Sequence, residues 1–293
     1  MIKIPCNSCG SMDFLPLYQK SSPLGEIFQI VRCSKCSLVQ VNPQPSQEDV
    51  KKYYEGSYFT ERTERGYDNY YSETLKKEIS RVFVLNLKDL GFFPWEEKRI
   101  QTVSEALSSL DIGCAAGYFV SFLKDRGYTA SGIEIAPGPV KFAREVLGLS
   151  IFQEDFLSWD LTFQKKFDII TLWATIEHLH RPKETLEKIN GHLKPGGILI
   201  LSTCRYGILA KWKGLQWRYL NVPEHLYYYS YNGLEKLLNE LGYNITKGFS
   251  YGSGMTNIKN ANLWFRIRKK FFDWLVKYTN SGDMMVFLAK KPD

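Results

Sequence analysis

Three observations predict an α/β protein, an open sheet with helices on both faces preceded by a small cysteine module. Strand and helix signals alternate from about residue 106 to the C-terminal region, a small-residue turn follows the first of those strands, and two C-x-x-C pairs lie within the first 36 residues. At 293 residues the chain has room for a catalytic domain of roughly 200 residues plus an accessory module. Its 44% hydrophobic and 15% aromatic content excludes disorder as the main state, and no repeat or low-complexity tract interrupts it. The start, Met1-Ile2-Lys3-Ile4-Pro5-Cys6, lacks the apolar core of a signal peptide. No later apolar run approaches the roughly 20 residues needed to cross a bilayer. The expected location is the cytoplasm.

Residues 1–45 read as short strands around the cysteine pairs, closed by the break Asn42-Pro43-Gln44-Pro45-Ser46. Residues 46–103 form a helical connector or lid. It has one helical signal over Gln47–Tyr54 and another over Asp68–Leu90, where Leu75, Ile79, Val82, Phe83 and Leu87 recur at helical spacing before the stop at Gly91. The domain at 104–293 alternates strand Ser108–Ile112, helix Tyr118–Arg126, strand Ala130–Ile135, helix Pro139–Leu147 and strand Leu149–Phe152. It continues with strand Phe167–Leu172, helix Pro182–His192, strand Gly197–Leu201, helix Tyr231–Leu241 and strand Met284–Ala289. This alternation predicts a parallel sheet, with ligands bound beyond the carboxyl ends of its strands.

The first of these strands runs into Leu110-Asp111-Ile112-Gly113-Cys114-Ala115-Ala116-Gly117-Tyr118-Phe119. Small residues at Gly113, Ala115 and Gly117 let backbone approach a ligand, and the helix opening at Tyr118 and Phe119 offers unpaired N–H groups to a carboxylate. Asp111 can accept from an ammonium. Such a site suits the amino-acid end of S-adenosylmethionine better than a pyrophosphate, and the G-x-A-x-G spacing misses the dinucleotide fingerprint. One strand later Glu134, followed by Ile135, puts an acid where it can accept from both hydroxyls of a ribose. After the third strand Asp155 and Phe156 offer a carboxylate and an apolar ring, a pair suited to adenine.

With these residues in order at successive strand ends, the stretch from Leu110 to about Ser202 resembles the class I S-adenosylmethionine-dependent methyltransferases. Phe167-Asp168-Ile169-Ile170, Ile176-Glu177-His178-Leu179 and Leu193-Lys194-Pro195-Gly196-Gly197 add to the resemblance, and Ala115 departs from it where glycine is commonest. The resemblance implies a Rossmann-like methyltransferase sheet, with Trp173 joining the cofactor-binding residues.

The pairs Cys6/Cys9 and Cys33/Cys36, with 23 residues between them, carry the spacing of a zinc ribbon. Four thiolates close tetrahedrally on zinc at about 2.3 Å and leave no open position, so the expected role is structural. Cys114 and Cys204 read as free thiols. A module of this kind followed by Asn-Pro-x-Pro and a Tyr-rich helix resembles bacterial methyltransferases of polysaccharide and natural-product pathways.

Methyl transfer to a hydroxyl needs a base, and His178 and His225 fall where the family places acceptor-side loops. The functional reading makes one of them the base. Trp173, Tyr206, Trp212, Trp217 and Tyr219 are then expected to shape a pocket for a small-molecule or saccharide acceptor, O-methylated in preference to C- or N-methylated. In the alternative, His178 merely orients its loop. A divalent ion held by Glu177, His178 and His225 is a further variant, weakened because Ala174 stands where related metal-dependent enzymes carry another carboxylate. A C-methyltransferase on a nucleotide sugar, an RNA methyltransferase and a non-catalytic S-adenosylmethionine-binding module are the competing functions. The net charge of +7 is concentrated between Ile258 and Tyr278, which argues against a general nucleic-acid footprint. The apolar stripe in that segment, Trp264, Ile267, Phe271, Trp274, Leu275 and Tyr278, is expected to pack on the sheet. The other reading is peripheral contact of 258–278 with an anionic membrane.

Overall fold

Alternating residues around the cysteine pairs form three antiparallel strands, β1 (Phe14–Ser21), β2 (Ile27–Cys33) and β3 (Val39–Val41). The computed structural model describes residues 1–54, 56–61, 69–159, 166–255 and 262–292. Ser46 then starts α1 (Gln47–Lys51) with a capping box, its hydroxyl accepting from the Asp49 amide while the Asp49 carboxylate accepts from the Ser46 amide. Helix α2 (Glu73–Leu90) ends at Gly91, whose φ of 79° closes it as the sequence predicts. The expected start at Asp68 lies outside the described residues. A helix absent from the sequence reading, α3 (Phe92–Ile100), follows directly.

The catalytic-type core runs β4 (Ser108–Ile112), α4 (Tyr118–Asp125), β5 (Thr129–Ile133), α5 (Pro137–Glu145), β6 (Ile151–Phe152), β7 (Phe167–Trp173), α6 (Pro182–His192), β8 (Leu193–Cys204) and α7 (Ile208–Lys213). After it come β9 (Tyr227–Tyr228), α8 (Tyr231–Glu240), β10 (Asn244–Tyr251), α9 (Leu263–Tyr278) and β11 (Met284–Lys290). Seven strands form one sheet in the order β10-β11-β8-β7-β4-β5-β6. The sheet is mixed rather than parallel throughout. Strands β4 to β8 are parallel, but β11 enters antiparallel to β8 and pairs with the unforeseen β10, because a tail that returns along the sheet edge runs against it.

Side chains alternate across the sheet with a period of two. In β8, Ile198 and Ile200 join Leu87, Leu90, Phe92, Phe119 and Val286 on one face. Leu199 and Leu201 join Leu186, Ile189, Leu234 and Leu237 on the other. The second face also receives Phe28, Ile30, Val39 and Val41, so the cysteine module shares its apolar core with the large sheet. The module's own sheet takes its last strand from far along the chain: its order is β1-β2-β3-β9. Helix α9 does not pack as expected. Among its described residues only Val276 is buried, and its remaining large apolar side chains are exposed to varying degrees. Residues 258–261 of that segment lie outside the described residues.

At the amino end of β7 the buried Asp168 accepts from Arg99 Nη2 (3.0 Å), Lys194 Nζ (2.7 Å) and the Ser108 amide (2.9 Å), tying α3, β4 and β8 to one carboxylate. Removing the negative charge leaves two cations around a neutral group. Asp168→Asn is therefore expected to cost roughly 3 kcal/mol and to lower the melting temperature by about 6–12 °C in differential scanning calorimetry.

Candidate active site

The turn after β4 alternates left-handed residues, Gly113 at φ 67°, Ala115 at 45° and Gly117 at 75°. A Cβ on Gly113 would stand 2.5 Å from Thr175 Cγ2, so glycine is required there by conformation and by space. That close approach sets the loop after β7 against the loop after β4. Ala115 holds the same kind of conformation with a methyl group, a strain of roughly 1 kcal/mol. Its amide donates to Glu134 Oε2 at 3.0 Å, and the Ala136 amide donates to Glu134 Oε1 at 2.9 Å. A carboxylate has about four acceptor positions, so Glu134 retains capacity for a ligand hydroxyl. Burial pushes its carboxyl above the ordinary range, against the pull of the backbone amides.

Asp111 is buried on β4, and Thr171 Oγ1 of the neighbouring β7 donates to its Oδ1 at 2.6 Å. Burial raises its pKa to about 7, the Thr171 hydrogen bond opposes the rise, and the nearby Glu134 charge adds to it. Two carboxylates poorly served by water at adjacent strand ends favour a cationic ligand. Helix α4 begins at Gly117 with no side-chain cap, so no side chain of the turn serves its first amides.

The aromatic residues divide. Phe119 lies under Phe83 and Trp173, with ring centroids 5.1 Å away in both cases, and Trp173 Nε1 is buried without a hydrogen-bond partner among the described residues. The Tyr118 ring stacks on Tyr70 of the connector, and its hydroxyl donates to the Tyr70 carbonyl at 2.6 Å. Ile135 is exposed. Asp155 Oδ1 accepts from the Leu157 and Ser158 amides, which engages it in its own turn. Phe156 is buried in the core with Lys188 Nζ 5.0 Å from its ring centre. The expected single aromatic acceptor pocket does not form. Trp217 is buried between Tyr206 and Tyr219 and donates to Asp283 at 3.0 Å, Trp212 is 79% exposed on α7, and Trp173 belongs to the opposite cluster.

Residues 175 to 178 carry the chain from the Gly113 contact directly into a 3-10 turn, Ile176–His178. His178 and His225 meet edge to face with centroids 4.5 Å apart. His225 is buried, and its Nδ1 lies 2.8 Å from the Tyr219 carbonyl; a carbonyl only accepts, so Nδ1 carries a proton. His178 Nδ1 shares a 2.8 Å hydrogen bond with Tyr54 of the connector. The buried Glu177 accepts from Thr203 Oγ1 at 2.8 Å. One ligand atom each of Glu177, His178 and His225 falls within 4.8 Å of the others. Sequence reasoning missed Tyr54 and Thr171; the only signal for Tyr54 was the tyrosine-rich composition of its segment.

The four module cysteines are free thiols gathered within 4.8 Å, with Cys6 and Cys36 sulfurs 3.3 Å apart and Cys9 and Cys33 sulfurs 3.5 Å apart. A tetrahedral zinc site with bonds of about 2.3 Å has sulfur–sulfur edges of about 3.8 Å, so the cluster fits that ion. The two knuckles match. The Gly10 amide donates to the Cys6 carbonyl and the Ser37 amide to the Cys33 carbonyl, both from left-handed residues.

The sheet order, the glycine turn and the carboxylates at consecutive strand ends define the S-adenosylmethionine-dependent methyltransferase fold. The chain belongs to the family described as a methyltransferase domain, which it matches over residues 67–247. It is similar to the ubiquinone biosynthesis O-methyltransferase of Actinobacillus pleuropneumoniae serotype 5b, 34% identical over 103 residues that make up 32% of this chain and 44% of that protein. The malonyl-[acyl-carrier protein] O-methyltransferase of Acetivibrio thermocellus is 32% identical over 142 residues, 44% of this chain and 50% of that one. The chain thus spans about half the length of the curated relatives it matches. Among solved structures, a putative sarcosine dimethylglycine methyltransferase from Galdieria sulphuraria aligns with a TM-score of 0.50 at 16% identity, covering 71% of this chain and 86% of its own, a likeness of fold.

The raised pKa of Asp111 has a measurable consequence. The folded carboxyl keeps its proton to about pH 7, whereas the unfolded one releases it near pH 4, so folding takes up a proton between those values. Stability from this group is complete below about pH 4 and lost as pH rises through 7. Between about pH 5 and pH 8 the melting temperature of the unliganded wild type is expected to fall relative to that of Asp111→Asn.

Proposed function

We propose that the chain transfers the methyl group of S-adenosylmethionine to a hydroxyl of a small, carbohydrate-type molecule, with His225 as the base and zinc held by Cys6, Cys9, Cys33 and Cys36. The observation that carries this reading is the orientation of His225. Its Nδ1 is committed to the Tyr219 carbonyl, so its Nε2 is the nitrogen able to take a hydroxyl proton. The ring stands against His178, three residues beyond the Thr175 that touches the cofactor-type turn. S-adenosylmethionine brings the methyl group on a sulfonium whose sulfur leaves with the bonding electrons. Asp111 then binds its ammonium and Glu134 its ribose hydroxyls, while the acceptor oxygen bonds to the methyl and gives its proton to His225. Two similar proteins are named as O-methyltransferases, which supports transfer to oxygen.

Titration calorimetry of the wild type with S-adenosylmethionine is expected to show micromolar binding that is lost in Asp111→Ala and Glu134→Ala. Absence of binding to folded, zinc-replete wild type sinks the reading. His225→Ala is expected to keep cofactor binding and to lower S-adenosylhomocysteine release by roughly 100- to 10,000-fold on whichever acceptor of a sugar and nucleotide-sugar panel is methylated. The methyl resonance of the product separates O- from C-transfer.

A second reading is favoured by the clustering of Glu177, His178 and His225, in which a divalent ion lies beside the acceptor. Activity abolished by a chelator and restored by magnesium, with zinc still present by elemental analysis, selects it.

Zinc removal is a separate experiment. Strand β3 of the module pairs with β9, two residues beyond His225. Stripping zinc with a strong thiol reagent is therefore expected to release the pairing around 227–228 in hydrogen exchange and to reduce turnover more than cofactor affinity.

A further inference from the structure

Helix α9 presents Leu263 (72% exposed), Trp264 (75%), Ile267 (49%), Phe271 (54%), Trp274 (58%) and Tyr278 (78%) to solvent. From Trp264 onward a spacing of three and four residues aligns them as one stripe along the outer side of the helix, with Leu263 at its edge. At 100° per residue Arg268 borders the stripe on one side, and Lys270 and Arg266 border it on the other. All three are exposed, and none is paired with an acid among the described residues. The remaining cations anchor the helix instead. Lys269 pairs with Asp273, which also accepts from Ser253, and Lys277 pairs with Asp89 of α2.

The chemistry of the stripe selects its partner. A second copy of the helix would bring Arg268 and Lys270 against like charges. An anionic phospholipid surface takes the apolar residues at the acyl boundary, Trp and Tyr rings at headgroup level, and the basic flanks against phosphates. Position adds to this. Tyr251 at the end of β10 pairs with Met284 at the start of β11, which pairs with Cys204 at the carboxyl end of β8. The connection bearing α9 therefore leaves the sheet at the end where the His225 loop lies.

We infer that α9 is an interfacial helix that lies on an anionic membrane surface and brings the acceptor end of the sheet close to the lipid. This docking does not depend on the identity of the acceptor or the base.

The test uses the full chain with vesicles of phosphatidylglycerol and phosphatidylcholine in equal parts, against phosphatidylcholine alone. Cosedimentation is expected with the anionic vesicles and to weaken at high salt. Arg266→Gln, Arg268→Gln and Lys270→Gln together are expected to lower the partition coefficient by about a hundredfold. Trp264→Ser, Phe271→Ser and Trp274→Ser together are expected to abolish cosedimentation, while circular dichroism and S-adenosylmethionine binding stay those of the wild type. In the wild type itself, brominated lipid is expected to quench tryptophan emission, a readout that holds even if a variant fails to fold. Equal binding to neutral vesicles, no quenching, or a wild-type dimer that dissociates when the stripe is changed overturns the inference; the last result assigns the face to a second copy of the chain.

Discussion

The arrangement around His178 and His225 depends on a short antiparallel contact between two segments far apart in sequence. Val39 and Gln40 of β3 pair with Tyr228 and Tyr227 of β9, and the Val41 amide donates to the Leu226 carbonyl at 2.9 Å. The Leu226 amide in turn donates to the Glu177 carbonyl at 2.7 Å. Leu226 is thereby clamped between the cysteine module and the turn carrying His178, and His225 is its immediate neighbour. Hydrogen bonds of this kind contribute only about 1 kcal/mol each. Their effect here is geometric, because they are set in a core that continues from Phe28 and Ile30 through Tyr227 and Tyr229 to Leu201 and Leu234. The four-cysteine cluster and His225 share one packed body.

The carboxylates after β4 and β5 follow a different logic. Asp111 and Glu134 are held where water serves them poorly, and each is only partly compensated, by one hydroxyl for Asp111 and by backbone amides for Glu134. Such groups weaken the unliganded fold and favour a ligand that brings positive charge and hydroxyls. The left-handed Ala115 adds strain at the same place, yet its amide is one of those that orient Glu134.

The parts of the fold legible in the sequence were those with local causes. Strand β4 and helix α6 occupy the residues expected of them, the helix because Pro182 opens it and its apolar residues recur at helical spacing. Helix α3 escaped notice because Pro94 reads as a breaker although it lies in a first turn, where proline is tolerated. Strand β10 escaped because its first half alternates weakly at an exposed sheet edge, and β9 because two residues carry no period. At the site, the turn glycines and acids were readable as a motif. The pairs Asp111 with Thr171 and Tyr54 with His178 were not, since they join residues 60 and 124 positions apart through strand register and packing. The aromatic residues near 206–219 misled for a related reason: composition shows that rings are present but not which of them the core will consume.

The pairing of β3 with β9 also orders events during synthesis. The cysteines and the first three strands leave the ribosome early, but the partner of β3 is made nearly 190 residues later. Until then β3 is an open edge with unsatisfied amides and carbonyls next to an apolar surface, the kind of edge that recruits foreign strands. All four cysteines of the cluster are made early, yet the N-terminal sheet is completed only when the tyrosines at 227 and 228 arrive. Truncations or fusions that separate the first 45 residues from the remainder therefore expose this edge.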